Sequence, residues 1–123
     1  MEILLVEDNL LNQKVVMFNL RKQNYTVTAV TNGRDAITKF KENKFDLILM
    51  DIMLPEMDGY EITIFIRNLE KESGATKPIP IIALTANALD NDKEKCLQAG
   101  MTDYLSKPFT SIELNDIIKK YQP

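Results

Sequence analysis

A parallel α/β fold is predicted by three observations. Short apolar runs at residues 3–6, 47–50 and 81–84 alternate with segments of helical periodicity. The runs are apolar throughout, as expected of parallel strands buried on both faces. Each ends in a polar group: Glu7-Asp8, Asp51 or Thr85. Alternation of this kind implies a parallel sheet covered on both faces by right-handed crossovers.

Residues 3–6 form the first strand, and Asn9 can cap the helix that follows. Leu11, Val15 and Phe18 recur at i, i+4 and i+7, with Val16 and Leu20 widening the stripe, which predicts a helix. Residues 26–30, Thr-Val-Thr-Ala-Val, are β-branched and alternating, a strand of less buried character. Asn32-Gly33 reads as a turn and cap before Ala36, Ile37 and Phe40, on a short helix ending near Glu42. The run 47–50 is too short for a helix and places Asp51 at the C-terminal edge of a central strand, where open α/β sheets bind their ligands.

After Asp58-Gly59, Ile62, Phe65, Ile66 and Leu69 mark an amphipathic helix. Residues 70–80 are polar and hold Gly74, Pro78 and Pro80, which predicts a loop and a local insertion. Residues 81–84 form the fourth strand, and 89–99 a weakly amphipathic helix stopped by Gly100. A short strand at 102–106 leads to Lys107-Pro108. Thr110-Ser111-Ile112-Glu113 matches a capping box, with Leu114, Ile117, Ile118 and Tyr121 carrying the last helix. The sum is five strands alternating with five helices.

At 123 residues the chain is one domain, 1–123, with 45% apolar and 27% charged residues, ordinary for a soluble protein. No apolar run approaches the ~18 residues of a membrane span, and no signal segment opens the chain, so a cytoplasmic setting without membrane contact is expected. A net charge of -3 argues against nucleic acid as a partner. Cys96 is the only cysteine, which excludes intrachain disulfides and Cys-rich zinc sites and predicts a small buried apolar residue. The chain has no histidine, which removes imidazole bases, His-paired nucleophiles and His-ligated metals.

Carboxylates, hydroxyls and lysine remain. Glu7, Asp8, Asp51, Thr85 and Lys107 all follow strands, and parallel strands bring their C-terminal ends to one edge. Asp51 there can bind a metal, act as a nucleophile or cap its loop; the nucleophile reading is adopted. Three carboxylates together repel, so a cation must offset them, and Mg²⁺ suits an all-oxygen site. A carboxylate nucleophile can form an aspartyl-phosphate, and phosphoryl transfer needs mainly positioning and charge neutralisation. Alone, each residue has an ordinary explanation: a solvated loop acid, a turn cap, a strand threonine, a surface lysine and, for Tyr104, half-buried packing.

Residues 4–9 (Leu-Leu-Val-Glu-Asp-Asn), 50–59 (Met-Asp-Ile-Met-Leu-Pro-Glu-Met-Asp-Gly), 84–86 (Leu-Thr-Ala) and 104–109 (Tyr-Leu-Ser-Lys-Pro-Phe) resemble the receiver domain of two-component response regulators. The resemblance covers essentially the whole chain. It implies a flavodoxin-like (βα)5 three-layer sandwich with strand order 2-1-3-4-5, an order for which the flavodoxin-like receiver is a standard illustration. It implies Asp51 as phosphoacceptor, Asp8 as direct Mg²⁺ ligand, Glu7 as the neighbouring acid, and the Met53 backbone carbonyl as a further ligand. Lys107 would pair with the phosphoryl group, Thr85 would donate to it, and Tyr104 would act as an aromatic switch moving with Thr85. A cis Lys107-Pro108 bond is implied in the same way. Met53 and Asn87 resemble positions lining water access to the phosphate, and a bulky Met53 suggests slower self-hydrolysis.

Residues 7–13, 84–88 and 96–108 look most like receivers attached to hybrid sensor histidine kinases. The expected role is a phosphoacceptor module of a phosphorelay, not an enzyme, with self-catalysed phosphorylation and dephosphorylation; its parent chain could be a histidine kinase. The chain ends soon after the last helix, so no output domain is expected. Lacking histidine, it needs a histidine kinase or histidine phosphotransfer domain as donor, expected on the first helix near Leu10 and Leu11. A downstream protein is expected on the face of the fourth helix, fifth strand and fifth helix. Two rival readings are a Mg²⁺ phosphohydrolase using Asp51 on a diffusible phosphoester, and a pseudo-receiver that works without phosphorylation. The first is disfavoured by Met53, which stands where a second acid would be needed, and by the lack of a cap domain.

Overall fold

The structure, a computed structural model, describes residues 1–86 and 90–123, with the side chains of residues 90–92 outside the description. In chain order the elements are β1 (Glu2–Val6), α1 (Leu10–Lys22), β2 (Thr26–Val30), α2 (Gly33–Glu42), β3 (Leu47–Asp51) and α3 (Gly59–Glu72). There follow β4 (Ile81–Thr85), α4 (Asp90–Ala99), β5 (Asp103–Ser106) and α5 (Ser111–Lys120). The five strands form one parallel sheet of order β2-β1-β3-β4-β5, the flavodoxin-like arrangement. Asn87, and Leu89 at the start of the expected fourth helix, lie outside the described residues.

Period-2 alternation splits each apolar run between two cores. Leu4, Val6, Ile48, Met50, Ile81 and Ala83 pack with Ala36 of α2, Ile62 and Ile66 of α3 and Cys96 of α4. Ile3, Leu5, Leu47, Leu49, Ile82 and Leu84 pack on the other face with Val16 and Leu20 of α1 and Leu114 and Ile118 of α5. Each fully buried Leu or Ile contributes ~1.5–3 kcal/mol of transfer free energy. All five β3 residues are buried, whereas edge strand β2 is mostly half-exposed. Cys96 is buried, as expected of a small apolar residue.

The caps follow the sequence closely. Asn9, Asn32 and Asp58 each accept a backbone N–H at the start of α1, α2 and α3, and Thr110 with Glu113 closes a reciprocal capping box at α5. Gly100 ends α4 at φ 102, in the left-handed region that favours glycine.

Two expectations are corrected. The apolar positions of α1 do not form one stripe: Leu11, Val15 and Phe18 face solvent, 70%, 54% and 61% exposed. Val16 and Leu20 are buried with Gln13 on the opposite side of the helix. The loop expected at 70–80 is shorter, because α3 runs on to Glu72. Glu70 is drawn into structure by Arg67, whose Nη1 donates to it at 2.8 Å, while its other oxygen accepts the Ile79 N–H at 2.7 Å. Arg67 also donates to the carbonyls of Gly100 and Ile79, both at 2.8 Å, tying α3 to the lead-ins of β4 and β5 at the amino edge of the sheet.

Candidate functional site

The register brings the C-terminal ends of β1, β3, β4 and β5 together, with Val6 beside Met50, Asp51 beside Leu84 and Thr85 beside Ser106. The residues at or just after those ends therefore meet at the carboxyl edge of the sheet. Glu7, Asp8 and Asp51 each place a carboxylate oxygen so that all three lie within 4.8 Å of one another, with Glu7 and Asp51 buried and Asp8 exposed. Lys107 Nζ reaches into this cluster, 3.0 Å from Glu7 Oε2 and 3.2 Å from Asp51 Oδ2. The Lys107–Pro108 peptide is cis.

Three elements fix Asp51. Its backbone ends the fully buried β3 ladder. Its Oδ1 accepts the Met53 backbone N–H at 3.2 Å. Gly59 opens α3 directly against it: a Cβ at that position would lie 2.5 Å from the Asp51 carbonyl oxygen and 2.9 Å from Ile52 Cα. Only glycine lets the helix start so close to the strand end.

Burial first, and then the neighbouring Glu7 carboxylate, push the Asp51 pKa up to about 6, against the pull of Lys107. Burial also works against the charge on Glu7, but hydrogen bonds from the Asp51 carboxyl and from Lys107 outweigh it and hold Glu7 below the usual range. Lys107 is desolvated too, yet the two acids raise its pKa and keep it cationic. The site thus holds more negative charge than one lysine balances, on an all-oxygen donor set. This is the chemistry of a hard divalent cation site.

Thr85 is buried at the end of β4, and its carbonyl accepts the Lys107 N–H at 2.7 Å, so these two expected site residues are linked through backbone. Tyr104 is half-buried on β5 against the core that holds Ala83, with Lys93 Nζ 5.8 Å from its ring centroid. Met53 turns its side chain to solvent and is 75% exposed, so only its backbone bears on Asp51. Asn87 lies outside the described residues.

Several residues that shape the site were given no role by sequence reasoning. Asn12 Nδ2 donates to Glu7 Oε1 at 3.3 Å, and Gln13 holds the backbone behind it. Away from the site, at the start of β5, Asp103 gathers the Tyr121 hydroxyl at 2.6 Å, Lys120 at 3.3 Å and the Tyr104 N–H at 2.8 Å, joining α5 to β5. The one available signal was Gln13 itself, a polar residue in line with Val16 and Leu20.

Residues 3–119 match the family model of the response regulator receiver domain. The chain is 44% identical to hybrid signal transduction histidine kinase B of Dictyostelium discoideum, over 98% of this chain and 6% of that protein. It is 40% identical to the sensor histidine kinase GacS of Pseudomonas protegens, over 97% of this chain and 13% of that protein. The chain thus spans a small fraction of the length of these relatives. Among solved structures it resembles the receiver domain of sensor histidine kinase PA1611 from Pseudomonas aeruginosa, solved with a magnesium ion coordinated in the active site cleft. That match has 50% identity and a TM-score of 0.86, covering 98% of this chain and 95% of that one. It also resembles a chain in the co-crystal of the Saccharomyces cerevisiae histidine phosphotransfer protein Ypd1 with the receiver domain of Ssk1. There the identity is 36% and the TM-score 0.94, covering 99% of this chain and 88% of that one. No described helix is long and apolar enough to cross a membrane. This chain belongs to the response regulator receiver domain family, the phosphoacceptor modules of two-component phosphorelays.

Proposed function

We propose that residues 1–123 act as one receiver unit in which Asp51 accepts a phosphoryl group from a phosphohistidine. The observation that carries this reading is the placement of Asp51: buried among two further carboxylates, with the Lys107 ammonium 3.2 Å from its Oδ2. With its pKa near 6, Asp51 is mostly ionised at neutral pH and available as a nucleophile. Its oxygen forms the new bond to phosphorus as the phosphorus–nitrogen bond of the donor breaks, and the imidazole leaves with the electron pair.

Glu7, Asp8, Asp51 and the Met53 carbonyl would hold Mg²⁺, which supplies charge neutralisation for the phosphoryl oxygens. Lys107 pairs with one phosphoryl oxygen and Thr85 donates its hydroxyl to another. Tyr104 follows Thr85 and carries the change to the face of α4, β5 and α5.

The donor, a histidine kinase or histidine phosphotransfer domain, docks on α1. Leu10, Leu11, Val15 and Phe18 form an exposed apolar stripe there, beside a cleft of about 440 Å³ that reaches Glu7 and Lys107. The downstream protein docks on the α4–β5–α5 face, where a cleft of about 530 Å³ is lined by Lys93, Leu97, Tyr104 and Tyr121.

Intact-mass analysis after incubation with acetyl phosphate tests the chemistry. One added phosphoryl group is expected, dependent on Mg²⁺ and absent from Asp51→Asn. An adduct that survives in Asp51→Asn would mean another nucleophile, and turnover far beyond one equivalent would mean a phosphohydrolase. No adduct on a folded, Mg²⁺-binding chain would mean a receiver that works without phosphorylation.

A further inference from the structure

Gln13 is a polar side chain on the buried face of α1, only 8% exposed and in line with Val16 and Leu20. An apolar residue of similar volume would fill that space equally well, so packing does not account for an amide there. Its hydrogen bonds do. Gln13 Nε2 donates to the Glu7 carbonyl at 2.8 Å and to the Val30 carbonyl at 2.9 Å.

These are the groups where the β1–β2 ladder runs out, since β1 ends at Val6 and β2 at Val30. The Glu7 N–H still continues the ladder to the Val30 carbonyl at 3.1 Å. The next carbonyl, that of Glu7, receives its donor from the helix instead of from a strand. The Gln13 backbone N–H meanwhile donates to the Asn9 carbonyl at 2.9 Å. One residue therefore anchors the carbonyls on either side of Asp8. The two acids of this turn, Glu7 and Asp8, supply two of the three carboxylates in the cluster.

We propose that Gln13 is a positioning residue for the cation site: its side-chain amide holds the Glu7-Asp8 turn at the height where both carboxylates meet Asp51. The proposal rests on reading those carboxylates as cation ligands. Loss of a group that orients ligands typically costs about 10–100-fold in metal affinity, and Gln13 orients them through the backbone, without touching a carboxylate.

The test uses the full chain free of metal, with Mg²⁺ as titrant in calorimetry. Gln13→Met retains the length and loses both donors, and is expected to weaken Mg²⁺ binding about tenfold. Leu20→Ala, which opens a cavity in the same helix, is expected to lower the Tm at least as far while leaving Mg²⁺ affinity within twofold of wild type. In the metal-free chain, the backbone amide resonances of residues 7–9 are expected to shift in Gln13→Met and not in Leu20→Ala. Should Gln13→Met not fold, Gln13→Asn, with its amide one methylene short, is read by the same measures. Unchanged Mg²⁺ affinity with unshifted amides would overturn the proposal, as would affinity that falls with Tm in both variants. If the wild type takes up no Mg²⁺, the metal reading fails by itself, and the amide shifts alone then decide whether Gln13 holds the turn.

Discussion

The Lys107 ammonium bridges to Asp51 at 3.2 Å while also holding Glu7 at 3.0 Å, so one lysine serves as counter-charge to two buried acids. Replacing it by Met leaves the acids facing each other. The Asp51 pKa is then expected to climb above about 6, read by carboxyl-carbon NMR. Labelling by acetyl phosphate is expected to slow about 10²-fold or more, the usual loss for a donor to developing phosphoryl charge.

The raised Asp51 pKa also sets a pH dependence of stability. A carboxyl whose pKa is higher folded than unfolded keeps its proton longer in the native chain. Its contribution therefore falls as pH rises from 3.8, the ordinary value, to about 6. Asp51→Asn removes this penalty. In EDTA at pH 8 the variant is expected to be more stable than wild type by about 1–2 kcal/mol, a gain that shrinks toward pH 4. Thermal melts at the two pH values measure it, and equal differences would refute it.

Asp103 is the opposite case. Burial pushes its pKa up, but the Tyr121 hydroxyl, the Tyr104 N–H and Lys120 together bring it below the ordinary value. Its stabilising effect is therefore complete above the unfolded pKa near 3.8 and is lost as pH falls through the lower folded value. Tyr121→Phe removes the 2.6 Å bond and is expected to cost about 1–2 kcal/mol at pH 7, less below pH 3. Denaturant melts of the pair at both pH values check this.

Gly59→Ala places a methyl group 2.5 Å from the Asp51 carbonyl, where backbone rather than a flexible side chain must yield. The expected loss is about 1–3 kcal/mol, as for overpacked cores. Because the atom displaced belongs to Asp51, phosphoryl labelling is expected to fall as well. Gly74→Ala is the control: φ 74 strains it, but it has open space and is remote from the acids, so labelling should hold.

The fold was legible because each apolar run was short, unbroken and followed by a polar residue, and parallel strands collect such ends on one edge. Glu7, Asp8, Asp51, Thr85 and Lys107 were visible for that reason. The α1 register was not. Leu11-Val15-Phe18 and Val16-Leu20 read as one wide apolar stripe, but they lie on opposite sides of the helix and only Val16 and Leu20 are buried. The buried stripe includes an amide retained for its hydrogen bonds, which no count of apolar residues detects. The Arg67–Glu70 link and the Asp103–Tyr121 bond were invisible for a similar reason. A long polar side chain at i, i+3 or near a terminus usually signals solvent, and only tertiary geometry shows that it is held by other elements of the fold.

The exposed stripe of α1 also shapes the colloidal behaviour of the isolated chain. Lys14, Arg21 and Lys22 border its apolar side chains, and the helix carries no carboxylate. Lys22 Nζ sits 4.8 Å from the Phe18 ring centroid, so charge and sticky surface are interleaved. Two copies that approach through this face bring like charges together, and that repulsion is expected to keep them apart at low ionic strength. Salt removes the guard, because the screening length shrinks from about 30 Å at 0.01 M to about 3 Å at 1 M. The free chain should thus self-associate more as ionic strength rises, and a buffer chosen to suppress ion pairing would promote clumping.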